Sequence, residues 1–363
     1  MTQNNRDLYS PATVAGHRLQ NRIVMAPMTR SRASGDHVPT EVMVDYYAQR
    51  ASAGLIVAEG TAPSADGIGY SRTPGIYSDE QIQAWRRVTD AVHARGGRIV
   101  LQLMHCCRVA ARANKPAGSR SVAPSALAAK TQLFTDSEGM ADTDLPHALT
   151  LGEIAGVIGD YRQAALNARA AGFDGVELHG TSGYLPMQFI ATNSNQRDDR
   201  YGGRLENRIR FTLEVLQAMA GAIGAGRVGL RLCPGNPYND VQDPDPQATL
   251  DALLAGIDGM NLAYLHIMRA PVRGLDAFAT ARQGFRGALI LNDGFDGESA
   301  ARQLDAGAAE AVSFARHYIA NPDLVQRLRD GQALAGFDRH TLYSPGPAGY
   351  SDYPSRATDP VLE

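Results

Sequence analysis

Eight short apolar runs, each followed by a longer amphipathic segment, constrain this chain more than any other feature. The runs lie at 23–29, 54–61, 98–105, 175–180, 228–234, 264–268, 288–293 and 311–316. Most are apolar throughout, as parallel strands buried on both faces must be. The intervening segments carry readable helix starts. Ser78 and Gln81 form a capping box that opens a helix running through Arg95, with Gly96 and Gly97 as its stop. Thr150 and Glu153 form another, ahead of an apolar stripe of Ile154, Val157, Ile158, Tyr161, Ala165 and Ala168 at spacings of three and four. Asn321 and Pro322 read as an N-cap with proline at the first helical position, closed by Gly331. Further helices are expected near 41–53, 205–223, 246–257, 275–283 and 298–306. Eight strand–helix units in one chain predict an α/β fold, a single closed (β/α)8 TIM barrel, over an open doubly wound sheet. No G-x-G-x-x-G follows the first run, which weighs further against a dinucleotide-binding sheet.

The length of 363 residues would accommodate two ordinary domains or one such barrel, and the repeat favours one domain over 1–363. Residues 106–149 break the alternation. They are rich in Ala, Ser, Pro and Asp, and read as an excursion after the third strand that caps the C-terminal mouth. Residues 344–363 read as a surface tail. A net charge of −3, with no basic run, gives no case for nucleic acid or an anionic membrane as partner. The N-terminus lacks the apolar core of a secretory signal, and no apolar run reaches membrane-span length. Three cysteines without a C-x-x-C pair, Cys106, Cys107 and Cys233, predict neither a disulfide framework nor a metal site, and a cytoplasmic location is the expectation. The chain would act as a monomer or homodimer on a small molecule.

In a (β/α)8 barrel the active site lies at the C-terminal ends of the strands. Those ends here are polar: Pro27-Met28-Thr29, Glu59-Gly60-Thr61, Gln102 and His105, His179, Arg231, His266, Asn292-Asp293-Gly294 and Arg316. The seventh and eighth strands are the common phosphate site of the fold, and Gly294 with Arg316 suits an anion there. Thr29, Gln102 and Arg231 deeper in the mouth suggest a phosphorylated aromatic cofactor. The stretch 175–211 stands out: a strand ending in His179, a loop of small residues, then Tyr184 and a segment dense in arginine and asparagine. A histidine and a tyrosine five apart look like one edge of an active site.

The sequences NRIVMAPMTRSRA (21–33), LQLMH (101–105), VAPSAL (122–127), ELHGTSGYLPMQFI (177–190), NQRDDRYGGRLENRIRF (195–211), VGLRLCP (228–234), LNDGFDGE (291–298), VSFARHYIANPDLVQRL (312–328) and GYSDYP (349–354) carry a resemblance. Over nearly its whole length the chain resembles the old yellow enzymes, FMN-dependent ene-reductases, in their classical bacterial branch. The resemblance implies that Pro27, Met28, Thr29, Gly60, Gln102 and Arg231 surround the ring and ribityl chain of FMN. Gly294, Ala315 and Arg316 would hold its phosphate. His179 would sit over the flavin and hydrogen-bond a substrate carbonyl, and Tyr184 would deliver a proton. Tyr70 and Tyr350 would line the substrate side. The implied reaction is ping-pong, with NAD(P)H as reductant and an activated alkene as acceptor.

Four positions depart from the family pattern. Ser182 stands where an asparagine or histidine gives a second carbonyl anchor, and losing one such donor costs about 2–4 kcal/mol of transition-state stabilisation. Met104 replaces a tryptophan and Cys106 a residue facing the substrate, so both are counted as substrate contacts. Ala315 replaces a glycine beside Arg316. The flavin-side residues match while the substrate side does not, which predicts a specialised substrate bulkier than cyclohexenone. A redirected flavin enzyme, a dehydrogenase (desaturase) or redox-neutral isomerase, is the alternative that Ser182 and Cys106 motivate. An FMN-binding protein with little turnover is a third reading. The larger relatives that oxidise amines or reduce dienoyl thioesters with an iron–sulfur cluster need cysteines this chain lacks.

Overall fold

The computed structural model describes residues 7–14 and 16–355; the first six residues and the last eight of the expected tail lie outside that range. Eight parallel strands close a barrel. They are β1 (Ile23–Met25), β2 (Leu55–Thr61), β3 (Ile99–Leu103), β4 (Gly175–His179), β5 (Val228–Leu232), β6 (Tyr264–Met268), β7 (Leu289–Asn292) and β8 (Ala311–Phe314). Each strand pairs with the next in the chain, and β8 closes against β1. The expected (β/α)8 barrel is present, with every strand where the apolar runs placed it.

The helices follow their caps. In α1 (Glu41–Gln49), α2 (Asp79–Ala94) and α3 (Leu151–Ala170), the last two begin at complete capping boxes on Ser78 and Thr150. The helix expected at 205–223 is one turn, Leu205–Arg208, followed by α4 (Arg210–Ile223). Then come α5 (Pro246–Ile257), α6 (Ala277–Gly284), α7 (Gly297–Asp305) and α8 (Leu324–Arg329). Asn321 does not cap the last helix. Its amide hydrogen-bonds the His317 and Ala335 carbonyls, and Asp323 precedes the helix instead.

Alternation along the strands divides the barrel in two. Residues such as Ile56, Leu101, Leu178, Leu230, Leu265 and Val312 face outward into the main core under the helices. The inward residues near the strand starts are apolar: Val24, Val57, Val100, Tyr264 and Ile290. A short antiparallel hairpin, Ala12–Val14 with His17–Leu19, adds Val14 and Leu19 to that cluster and plugs the lower end. Gly229 is required here, because a Cβ would lie 2.3 Å from the ring of Tyr264. The inward residues nearer the strand ends are polar, and they build the mouth. The excursion after β3 includes an antiparallel hairpin, Gln132–Thr135 with Gly139–Asp142.

Glu59 on β2 is fully buried, accepting from the Arg30 N–H at 3.3 Å and the Tyr47 hydroxyl at 3.1 Å. Burial pushes its carboxyl up from 4.5 to about 7, despite Arg30 and Arg32 nearby. A carboxyl whose folded pKa is raised favours folding below its unfolded pKa and loses that contribution as pH climbs through the folded one. Glu59→Gln removes the ionisation. Thermal unfolding of wild type and variant across pH 4.5 to 7 should therefore shift in the variant's favour as pH rises; parallel curves would mean that Glu59 does not titrate in that window.

Candidate active site

The polar layer of the barrel is one connected network. Gln102 Nε2 on β3 donates to Glu177 Oε1 on β4 at 2.8 Å. The other Glu177 oxygen lies 2.8 Å from His266 Nδ1 on β6. His266 Nε2 lies 2.7 Å from Ser313 Oγ on β8 and 2.6 Å from Arg231 Nη1 on β5. Arg231 Nη2 donates to Asn292 Oδ1 on β7 at 2.8 Å, and Asn292 Nδ2 returns to Ser313 Oγ at 2.7 Å. Burial, then the Arg231 charge, holds the His266 pKa down at about 4, so the imidazole is neutral. Its partners then set the tautomer: Nδ1–H donates to Glu177 and Nε2 accepts. Burial pushes Glu177 up, yet His266, Arg231 and Gln102 outweigh it and keep the carboxyl below its usual range.

His179 ends β4 one turn above this network. It is nearly buried, and its Nδ1 has no hydrogen-bond partner in the structure. Burial, followed by the Arg231 charge, lowers its pKa to about 3. After it the backbone turns sharply: Ser182 has φ of 60° and Gly183 φ of 75°. Gly183 cannot be larger, since a Cβ would lie 2.4 Å from the Tyr238 carbonyl oxygen. The turn brings Tyr184 back beside His179, with ring centroids 4.9 Å apart. The Tyr184 hydroxyl donates to the Tyr70 hydroxyl at 3.1 Å, the two rings edge to face. Burial raises both phenols well above their ordinary pKa, so both stay protonated.

Tyr70 and Tyr184 stand on the wall of a cavity of about 620 Å³. Thr29 borders it from the β1 end, Phe134 from the excursion hairpin, Tyr238 and Asn239 from the loop after β5, and Tyr343 from the C-terminal segment. These last four were not singled out in the sequence. Phe134 sits on a short strand of the excursion hairpin and the other three on irregular segments without a period, and only their aromatic or amide character hinted at a surface role.

The remaining sequence candidates fall into three groups. His179, Gln102 and Arg231 converge at the mouth, with Pro27 and Met28 just beyond β1 and Gly60 buried on β2. Asp293 and Gly294, both at positive φ, form a turn after β7, and Ala315 with Arg316 begins a short helix (Arg316–Ala320) after β8. Met104, Cys106 and Tyr350, expected as substrate contacts, do not border this cavity. Met104 folds down onto Gly60, where an added Cβ would lie 2.6 Å from its sulfur. Cys106 is 1% exposed, packed behind Tyr184 and Leu133, and burial pushes its thiol up to about 12, which leaves no reactive thiolate. Tyr350 is fully buried, stacked on Tyr46 at 3.8 Å with Arg32 over its ring. His105, read as a strand end, is likewise buried, near Tyr161.

Residues 7–335 match the NADH:flavin oxidoreductase / NADH oxidase family. A probable flavin mononucleotide-dependent alkene reductase of Leishmania infantum is 44% identical over 96% of this chain and 97% of that protein. The 12-oxophytodienoate reductase 7 of Oryza sativa subsp. japonica is 37% identical over 97% of this chain and 95% of that protein. Morphinone reductase superposes with a TM-score of 0.94 at 43% identity, covering 99% of this chain and 100% of that one. The chain belongs to the NADH:flavin oxidoreductases, the old yellow enzymes. It is an FMN-dependent oxidoreductase.

The donor set fits FMN. At the phosphate end, the consecutive positive φ values of Asp293 and Gly294 form a turn of the kind whose N–H groups receive anions. The space over Gly294 is open, the nearest atom to an added Cβ being Arg269 Nε at 4.0 Å. Arg316 is exposed, with no carboxylate of the described residues in ion-pair range. Ala315 keeps φ at −99°, so the glycine-to-alanine departure carries no strain. At the ring end, the network aims the Gln102 amide and the Arg231 guanidinium at the mouth, an amide and cation set matched to a flavin's polar edge. Arg316→Ala should weaken FMN binding by about ten- to a hundredfold, the scale of one charge-assisted contact. Flavin fluorescence on dilution reads that affinity; unchanged retention would remove Arg316 from the phosphate site.

Proposed function

We propose that this enzyme reduces the C=C bond of an α,β-unsaturated carbonyl compound, with NADPH or NADH as electron source. The observation that carries the reading is a neutral buried imidazole, His179, with an unpartnered Nδ1, set beside a protonated phenol, Tyr184, that stands on the cavity wall. The chemistry that FMN supplies when bound is hydride relay from a nicotinamide to the alkene. The chain's own residues supply the rest. His179 binds the substrate carbonyl oxygen through its N–H, recovering a hydrogen bond that the buried ring otherwise lacks, about 1–3 kcal/mol. As negative charge develops on that oxygen, the same bond strengthens. Tyr184 gives its proton to the α-carbon. Ser182 contributes at most a short hydroxyl where relatives carry a longer donor, so His179 bears most of the carbonyl.

The names of the relatives, an alkene reductase, 12-oxophytodienoate reductases and morphinone reductase, support an alkene acceptor. A morphinone reductase complex with tetrahydroNAD supports a nicotinamide donor. Aromatic walls from Tyr70, Phe134, Tyr238 and Tyr343 suit a ring system larger than cyclohexenone. The burial of Cys106 removes one of the two departures that favoured a dehydrogenase or isomerase. No helix of the described residues is long and apolar enough to cross a membrane. We place the enzyme in the cytoplasm, as a monomer or homodimer, with 1–363 as one FMN-binding barrel domain, 106–149 over its mouth and 344–363 as a tail.

Anaerobic rapid mixing of the reduced enzyme with an enone tests the reading. Reoxidation by the alkene is the expected result; a reduced enzyme that no activated alkene reoxidises would overturn it. Tyr184→Phe should slow that step by about 10²–10⁴, the usual share of a positioned proton donor. Since His179 titrates near 3 and Tyr184 far above neutrality, the reoxidation rate should be flat between about pH 5 and 9. A step within that range would assign the proton to another group.

A further inference from the structure

The Tyr184 phenol is a poor acid as it stands. It is 7% exposed, and burial holds its pKa far above that of a phenol in water. Giving up its proton to carbon would leave a tyrosinate with little water to solvate it, a cost that grows as the local dielectric falls. Its hydroxyl partner is that of Tyr70, 3.1 Å away. Tyr70 is held in turn. The Asn239 side chain shares the cavity wall with Tyr70 and acts on its hydroxyl in the sense that lowers the pKa of Tyr70. The same amide donates from Nδ2 to the Ser182 carbonyl at 2.9 Å. Asn239 thus ties the phenol of Tyr70 to the backbone of the turn that carries Tyr184. Its own backbone is in the left-handed region, φ of 61°, as is that of Asp240 at 58°. Non-glycine residues seldom adopt that conformation unless the surroundings require it. His179, Cys106 and Tyr238 are the other titratable side chains around the pair.

We infer that Tyr70, oriented by Asn239, is a positioning residue for proton delivery by Tyr184. As the α-carbon takes the Tyr184 proton, the O–H bond of Tyr184 breaks and a C–H bond forms at the enolate carbon. The Tyr70 hydroxyl rotates to donate to the Tyr184 oxygen and transfers its proton there, restoring the Tyr184 phenol. The negative charge moves to the Tyr70 oxygen, where the Asn239 N–H stabilises it. A water molecule of the cavity then returns a proton to Tyr70, on the side facing Phe134 and Tyr343 and away from His179. No electrons move in this relay, and its net effect is to carry one proton from solvent to the α-carbon. The inference rests on the ene-reductase reading.

The test is a double-mutant cycle on the intact FMN-loaded enzyme, with the two half-reactions followed separately. Tyr70→Phe keeps the ring and removes the hydroxyl. It should slow reoxidation by an enone tenfold or more, with a larger solvent deuterium isotope effect, while reduction by the nicotinamide changes less than threefold. In a Tyr184→Phe background the same substitution should have no further effect, because the relay acts only through Tyr184. Asn239→Gly, which the positive φ tolerates, should reproduce the Tyr70→Phe loss in part and raise the isotope effect in the same direction. Additive losses in the cycle, equal slowing of both half-reactions, or reoxidation at the wild-type rate would each overturn the relay and leave Tyr70 a wall of the cavity. Failure of the wild-type reduced enzyme to react with any activated alkene is a different outcome, and would remove the ene-reductase reading along with the relay.

Discussion

A carboxylate buried inside the barrel, Glu177, is the constraint on which the mouth depends. An ionised carboxyl removed from water costs several kcal/mol unless hydrogen bonds and opposite charge replace its hydration. Here the replacement comes from three other strands: Gln102, His266 and, through its charge, Arg231. Each partner is thereby turned to one orientation. Gln102 presents its remaining carbonyl, His266 has one tautomer, and Arg231 is held by His266 and Asn292 on one side only. The parallel register makes this possible. Glu177 sits opposite Gln102, Arg231 opposite His266, and Asn292 opposite Ser313. A one-residue slip of any strand would point its member outward into the apolar core. The network therefore fixes the barrel register and presents a rigid, preorganised polar floor to a bound ring.

The fold was legible because its signals are local. Each barrel strand is an apolar run bounded by glycine, proline or a polar end, and two helix starts are written as capping boxes at Ser78 and Thr150. Where local signals mislead, a longer-range contact wins. Asn321 precedes a proline and looks like a cap, but its amide is drawn to Ala335, fourteen residues on. His105 and His266 both looked like strand ends facing the mouth. His105 follows the last paired residue of β3 and turns under α3, whereas His266 lies mid-strand with its side chain inside the barrel.

The candidate site was legible in its floor and only in part in its walls, where Thr29, Tyr70 and Tyr184 were expected and the rest were not. Residues at strand ends have their direction set by the two-residue period, so Gln102, His179 and Arg231 were placed by counting. Wall residues come from loops whose path the sequence does not state. Met104 and Cys106 took their expected roles from the positions of relatives, yet glycines at 60 and 69 open space behind the wall that these two side chains fill. Tyr350 is captured by Tyr46, Arg30 and Arg32, which pull the C-terminal segment into the core; Arg32 alone reaches the carbonyls of Thr341, Leu342, Gly346 and Ala348. That capture in turn brings Tyr343 to the cavity.

The three mouth loops that carry Tyr184, Asn239 and the hairpin are tied at a single residue. Asp240 accepts from the buried Arg108 of the excursion after β3 through both its carbonyl and its carboxylate, and from the Lys130 N–H at 3.1 Å. Its carbonyl also receives Asn193 Nδ2, from the segment after β4, at 2.9 Å. Arg108 is 1% exposed, so its charge is committed to this contact and cannot be screened by water. With the backbone of Asp240 anchored from two sides, its neighbour Asn239 has little freedom of its own, and the left-handed conformation of both residues follows from the anchoring. The position of the amide beside Tyr70 is therefore set by residues more than forty positions earlier in the chain, on loops that share no strand. A site assembled this way keeps its floor when a loop sequence changes and alters its wall.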